Sequence, residues 1–131
     1  MSLENVELAR RAFDAYNRRD FPAYFELCHP ELTYRNREDE PDVRLYRGLE
    51  EFKLYVESWL ETFGDLQLEP QDFVDLGDQV IAVAEVRGRS GSGGPEVHGS
   101  YVFLLRFRDG LLVQGREYAT REEALAAAEG S

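Results

Sequence analysis

The stretch YVFLLRFRDGLLVQGREY, residues 101–118, holds two strand-forming runs joined by Asp109-Gly110. A two-residue Asp-Gly link between β-branched and aromatic runs is a tight hairpin signal, because both central residues of the favoured turn need a positive φ. The region before it continues the pattern. Leu66/Leu68, Phe73/Val74, Val80 to Arg87 and Val97 to Arg108 read as further strands, with Gly77-Asp78 as another tight turn. Gly88 to Pro95 (GRSGSGGP) lies between two such runs and reads as a hairpin loop.

Upstream the period changes from two to three and four. Val6, Ala9, Phe13 and Tyr16 mark an amphipathic helix over Leu3 to Arg19, with Ser2 as its N-cap. Asp20 precedes Phe21-Pro22 and opens a short helix carrying Phe21, Tyr24, Phe25 and Cys28, stopped at His29-Pro30. Glu31 to Asn36 alternates as a strand, followed by the acidic loop Arg37 to Val43. After Gly48, Leu49, Phe52, Val56, Trp59, Leu60 and Phe63 form a broad apolar helix stripe ended by Gly64. Thr120 with Glu123 makes a capping box for a short closing helix through Ala124, Leu125 and Ala128. The order predicts an α+β fold in which a curved antiparallel sheet wraps around three helices of the N-terminal half, with a short C-terminal helix.

Composition narrows the function. The 131 residues fit one domain, 1–131, with 43% hydrophobic and 31% charged residues, a globular balance. A net charge of −11, from 15 basic and 26 acidic residues, repels phosphate backbones and anionic membranes, so nucleic acid and membrane are excluded as partners. One cysteine, Cys28, and two histidines, His29 and His98, can build neither an internal disulfide nor a tetrahedral zinc site. Cys28 reads as a small buried hydrophobe and His98 as a solvated residue beside the glycine loop. The run Glu38-Asp39-Glu40-Pro41-Asp42 lacks the spacing of a calcium loop and reads as a solvated rim. No metal and no nucleotide or redox cofactor is signalled, and a cytoplasmic location is the default expectation.

The segments ENVELARRAFDAYNRRD, LTYRN, YRGLEEFKLYVESWLETF, FRDGLLVQGREY and REEAL together resemble the SnoaL-like branch of the nuclear-transport-factor-2-like superfamily across nearly the whole chain. The resemblance implies a cone with an apolar pocket for a small apolar molecule, and dimerisation through the outer sheet face. It implies no single activity, since isomerases, cyclases, dehydratases, epoxide hydrolases and binders share the fold. Against ketosteroid isomerases, the general-base position holds Asn36, the oxyanion tyrosine falls near Ala12, and the protonated aspartate near Phe103, which is also where polyketide cyclases of the SnoaL type place theirs. Against limonene epoxide hydrolases, Tyr34-Arg35-Asn36 matches the pair that holds the nucleophilic water, and Gly115-Arg116-Glu117-Tyr118 matches the segment of the activating carboxylate. Their Arg-x-Asp falls on Glu85-Val86-Arg87, with acid and arginine exchanged.

The candidate catalytic residues are therefore Glu117, Tyr34, Asn36, Glu85 and Arg87, and the candidate ligand contacts are Tyr16, Trp59, Tyr101, Phe103, Arg116 and Tyr118. Glu85 and Arg87 either point into the pocket or form an ion pair at the sheet edge. A strict two-residue hairpin pairs Phe103 with Arg116 and turns Glu117 away, whereas a bulge at Gly115 turns Glu117 inward. Because Val102, Leu104, Leu111 and Val113 share the outer face, a homodimer is expected to cover them. Two functions follow as expectations: a cofactor-independent hydrolase, isomerase or cyclase acting on a small hydrophobic molecule, or a non-catalytic ligand-binding or dimerisation module.

Overall fold

A computed structural model of the chain describes residues 3–39, 44–89 and 96–130. Ser2, the end of the acidic loop and most of the glycine-rich loop lie outside the described residues. The elements run α1 (Leu3–Asn17), α2 (Phe21–Glu26), β1 (Cys28–Arg35), β2 (Leu45–Arg47), α3 (Leu49–Thr62), β3 (Gln67–Asp75), β4 (Gln79–Arg89), β5 (Glu96–Arg108), β6 (Leu111–Tyr118) and α4 (Arg121–Glu129). The six strands form one sheet in the order β2-β1-β6-β5-β4-β3.

Asp109 and Gly110, at φ 53° and 80°, make the β5–β6 turn, and Arg108 pairs with Leu111 and Phe107 with Leu112 as a two-residue turn requires. The register then shifts by one, so that Arg106 pairs with Gln114 and Phe103 with Glu117. The extra residue is Val113, not Gly115. Because the side-chain period is two, this single bulge carries Glu117 onto the face of Phe103 and puts Arg116 on the face of Leu104.

Gly115 answers a different demand. It lies beside Tyr34 across the β1–β6 pairing, and a Cβ there would sit 2.5 and 2.7 Å from two ring carbons of Tyr34. Gly115→Ala is expected to cost about 1–3 kcal/mol through overpacking and to displace the Tyr34 ring; a denaturant midpoint equal to wild type would remove this role.

Several boundaries differ from the sequence reading. Cys28 opens β1 rather than closing α2, which ends at Glu26. The short strand β2, antiparallel to β1, carries no apolar alternation that would mark it in the sequence. The sheet is also not wholly antiparallel, because β1 runs parallel to β6. The first helix stops at Asn17, and Arg19 takes a positive φ of 63°. These end residues then brace the edge strand: the Asn17 amide exchanges hydrogen bonds with the backbone of Leu68 at 2.7 and 2.8 Å, and the Arg19 guanidinium donates to the carbonyl oxygens of Gly64 and Leu66.

Each face of the sheet buries its own core. The larger one joins Phe13 and Tyr16 of α1, Phe52 and Val56 of α3, and Ala82, Phe103 and Leu105 of the sheet. On the other face α4 lays Ala124 and Ala128 against Ile81, Val102 and Leu104, all buried. The Thr120–Glu123 capping box starts this helix as expected. The ground for expecting a homodimer is thereby largely met within one chain: α4 covers Val102 and Leu104, leaving Leu111 and Val113 half-buried.

Candidate functional site

Between helices and sheet lies a cavity of about 90 Å³. Its lining is apolar and aromatic, with one carboxylate, that of Glu117, which is only 6% exposed. β6 delivers this side chain through the bulge, β1 delivers Tyr34, and α3 delivers Tyr55. The Tyr34 hydroxyl donates to Glu117 Oε2 at 2.5 Å, while the Tyr55 hydroxyl lies 3.0 Å from Oε2 and 3.1 Å from Oε1. A carboxylate accepting from two phenols is fixed in orientation as well as paired. Phe52, 1% exposed, backs both rings, with centroids 4.6 Å from Tyr34 and 6.4 Å from Tyr55.

Burial, reinforced by the charge of Glu117, pushes the Tyr34 hydroxyl well above the usual phenol range, so it remains a donor through neutral pH. Burial likewise raises Tyr24, and pushes Tyr16 and the Cys28 thiol up to about 12. These groups hold their protons more tightly folded than unfolded. The stability they contribute is whole below pH 9, and is lost as pH rises past the ordinary values of 9.0 for the thiol and 10.0 for the phenols toward 12. Melting temperature is therefore expected to fall steadily between pH 9 and 11, each group adding a slope of up to about 1.4 kcal/mol per pH unit once ionised in the unfolded chain. A melting temperature flat across that window would contradict this burial.

Of the residues singled out from sequence, Glu117, Tyr34, Tyr16, Trp59, Tyr101 and Phe103 all line the cavity. Trp59 meets Tyr101 edge to face at 6.3 Å, and the Arg37 guanidinium lies 4.4 Å from the Tyr101 ring centroid. The remaining candidates lie elsewhere. Asn36 is buried just beyond β1, where its amide oxygen accepts from the Arg44 backbone N–H at 2.7 Å and closes the loop toward β2; it does not line the cavity.

Glu85 and Arg87 stand on the outer face with Ile81 and Val83. There Glu85 approaches His98 at 3.8 Å, as in the surface alternative of the sequence reading, though with His98 rather than Arg87. Arg116 and Tyr118 share that outer face, Tyr118 against the α4 core and Arg116 with its Nε buried and without a hydrogen-bond partner. Tyr55 escaped the sequence reading, although its place was written there: it falls three residues after Phe52 and four before Trp59, on the apolar stripe of α3. Among the described residues no group of His, Cys, Asp and Glu could hold a metal ion, and no helix is long and apolar enough to cross a membrane.

A curved six-stranded sheet closed by helices around a cavity defines a class of α+β cone proteins. The chain belongs to the SnoaL-like domain family, whose model matches residues 9–115. No curated protein matches the sequence. Among solved structures it is similar to Bal32a from a soil-derived mobile gene cassette, at TM-score 0.83 and 18% identity over 95% of each chain. It is also similar to TerC, crystallised with polyporic acid, at TM-score 0.77 and 18% identity over 98% of this chain and 99% of that one. A candidate SnoaL-like polyketide cyclase from Jannaschia sp. CCS1 superimposes at TM-score 0.76 and 22% identity, over 97% of this chain and 92% of that one. At these identities the likeness extends to the fold.

Proposed function

We propose that the cone takes up one small, largely apolar molecule and that Glu117 moves a proton on it as general base and then general acid, without a cofactor. The observation that carries this reading is the Glu117 carboxylate, buried in an aromatic cavity and held by the hydroxyls of Tyr34 and Tyr55. A carboxylate in an apolar site holds a proton more readily than one in water, while hydrogen-bond donors moderate that gain, which suits a group that must both accept and return it. On a carbonyl compound the carboxylate accepts the proton from the α-carbon, the C–H electron pair forms the enolate double bond, and the carbonyl electrons pass to oxygen. Return of the proton to another carbon of the enolate system completes an isomerase-type step; in a cyclase-type step the enolate carbon bonds to a second carbonyl carbon of the same molecule, that carbonyl's π pair passes to its oxygen, and this oxygen takes the proton, which regenerates the carboxylate.

Epoxide hydrolysis is the less supported chemistry. It needs an amide beside the attacking water, and the amide oxygen of Asn36 serves the Arg44 backbone outside the cavity lining. Crystallisation of TerC with polyporic acid supports a small-molecule occupant for a cone of this fold, by analogy.

The reading is tested with one-ring ketones such as cyclohexanone, following binding through Trp59, the single tryptophan, and exchange of α-hydrogens for deuterium by NMR. Saturable binding with exchange above the buffer rate is expected. No binding and no exchange would overturn the proposal; binding without exchange would reassign the cone to ligand carriage.

A further inference from the structure

Tyr16 and Tyr24 line the cavity from the helical side, on α1 and α2 respectively. Their rings meet edge to face at 5.6 Å and are held by Phe21, whose centroid lies 5.9 Å from Tyr16 and 6.4 Å from Tyr24. Tyr24 also lies 6.2 Å from Phe52, the residue that backs the Glu117 tyrosines. Packing therefore fixes both rings. Among the described residues neither hydroxyl makes a hydrogen bond, whereas the hydroxyls of Tyr34 and Tyr55 in the same wall both meet Glu117. Nor are the two oxygens sealed in protein: the fully buried side-chain polar atoms without partners are Gln79 Oε1 and Arg116 Nε, both elsewhere. A polar group facing an apolar cavity without a partner is costly, so a ligand atom that pairs with it gains selectivity over one that cannot.

We infer that Tyr16 and Tyr24 form a hydrogen-bond donor subsite that selects a neutral carbonyl oxygen on the bound molecule, an inference that rests on the cavity accepting a small apolar molecule as proposed above. A carbonyl oxygen has two lone pairs and can accept from both phenols at once. Both hydroxyls stay protonated through neutral pH, and each senses the charge of Glu117. That nearby negative charge opposes a carboxylate or phenolate ligand in the same cavity and leaves a neutral acceptor as the matching chemistry. Size adds a further limit. At about 90 Å³ the cavity is smaller than the roughly 150 Å³ engineered cavity that admits benzene, so one small ring is the upper limit of what it takes, and the lining side chains must yield to admit it. The subsite and the carboxylate divide the recognition: α1 and α2 present donors, and β6 presents the acceptor.

The test compares cyclohexanone with methylenecyclohexane, which has nearly the same shape and no oxygen acceptor. Both are titrated by Trp59 fluorescence into wild type, Tyr16→Phe, Tyr24→Phe and the double variant, each checked for an unchanged circular dichroism spectrum. Each lost hydroxyl is expected to weaken ketone binding about 5-fold relative to the hydrocarbon, the effect of one ordinary hydrogen bond. The carbonyl stretch of bound cyclohexanone should lie at lower wavenumber in wild type than in the double variant, a shift that loss of packing alone does not produce. If both ligands bind and neither the affinity ratio nor the stretch differs between wild type and double variant, the subsite is overturned while the cavity reading stands. If neither ligand binds wild type, both are overturned.

Discussion

Replacing Glu117 by glutamine is expected to slow α-hydrogen exchange in a bound one-ring ketone by about 10²- to 10⁴-fold, the usual worth of a positioned general base. Glutamine keeps the shape and can still accept from Tyr34 and Tyr55 through its amide oxygen, but it takes no proton at neutral pH. Ligand affinity should therefore change little while the rate collapses. Tyr34 and Tyr55 contact the carboxylate rather than the reacting carbon in this account, so Tyr34→Phe and Tyr55→Phe should give smaller losses and alter the pH profile of the rate. Retention of the wild-type rate by Glu117→Gln would move the base elsewhere. Glu85 is poorly placed to replace it, since it stands on the outer face near His98.

Phe52→Ala is expected to produce the largest loss of stability, about 3–5 kcal/mol, the range for removing a fully buried aromatic ring. Phe52 is 1% exposed and its ring meets Tyr24, Phe25, Tyr34 and Tyr55 at centroid distances from 4.6 to 6.4 Å. Both tyrosines that hold Glu117 rest on it, and so does one of the two in the proposed donor subsite. The variant should therefore lose ligand selectivity along with stability, whereas Leu54→Ala, on the same helix but 65% exposed, should lose neither. Chemical denaturation with a midpoint within experimental error of wild type would contradict the role of Phe52.

What the sequence made legible follows from which signals are local. The Asp109-Gly110 turn, the apolar stripe of α3 and the Thr120–Glu123 cap each depend on a few neighbouring residues, and each formed as read. The facing of Glu85 was harder because β4 runs Val80 to Ala84 without alternation. Helices cover its inner side and α4 part of its outer side, so apolar residues on both faces erase the period-two signal. The inward turn of Glu117 depends on a bulge, and the glycine that suggested one was two residues away from the actual extra residue, Val113. Gly115 is glycine because a ring from another strand occupies the space where its Cβ would be, a tertiary fact with no local trace. β2, only three residues long and paired at the sheet edge, shows the same limit.

A small molecule that occupies the cone as proposed lies against the Glu117 carboxylate, and side-chain carbon NMR registers that contact. With glutamate labelled at the carboxyl carbon, the Glu117 resonance is identified by its loss in Glu117→Gln and followed as cyclohexanone is added. This resonance is expected to shift and to saturate at the same ligand concentration as the Trp59 fluorescence response, while the other glutamate signals stay in place. A Trp59 response that saturates with the Glu117 resonance unmoved would contradict it.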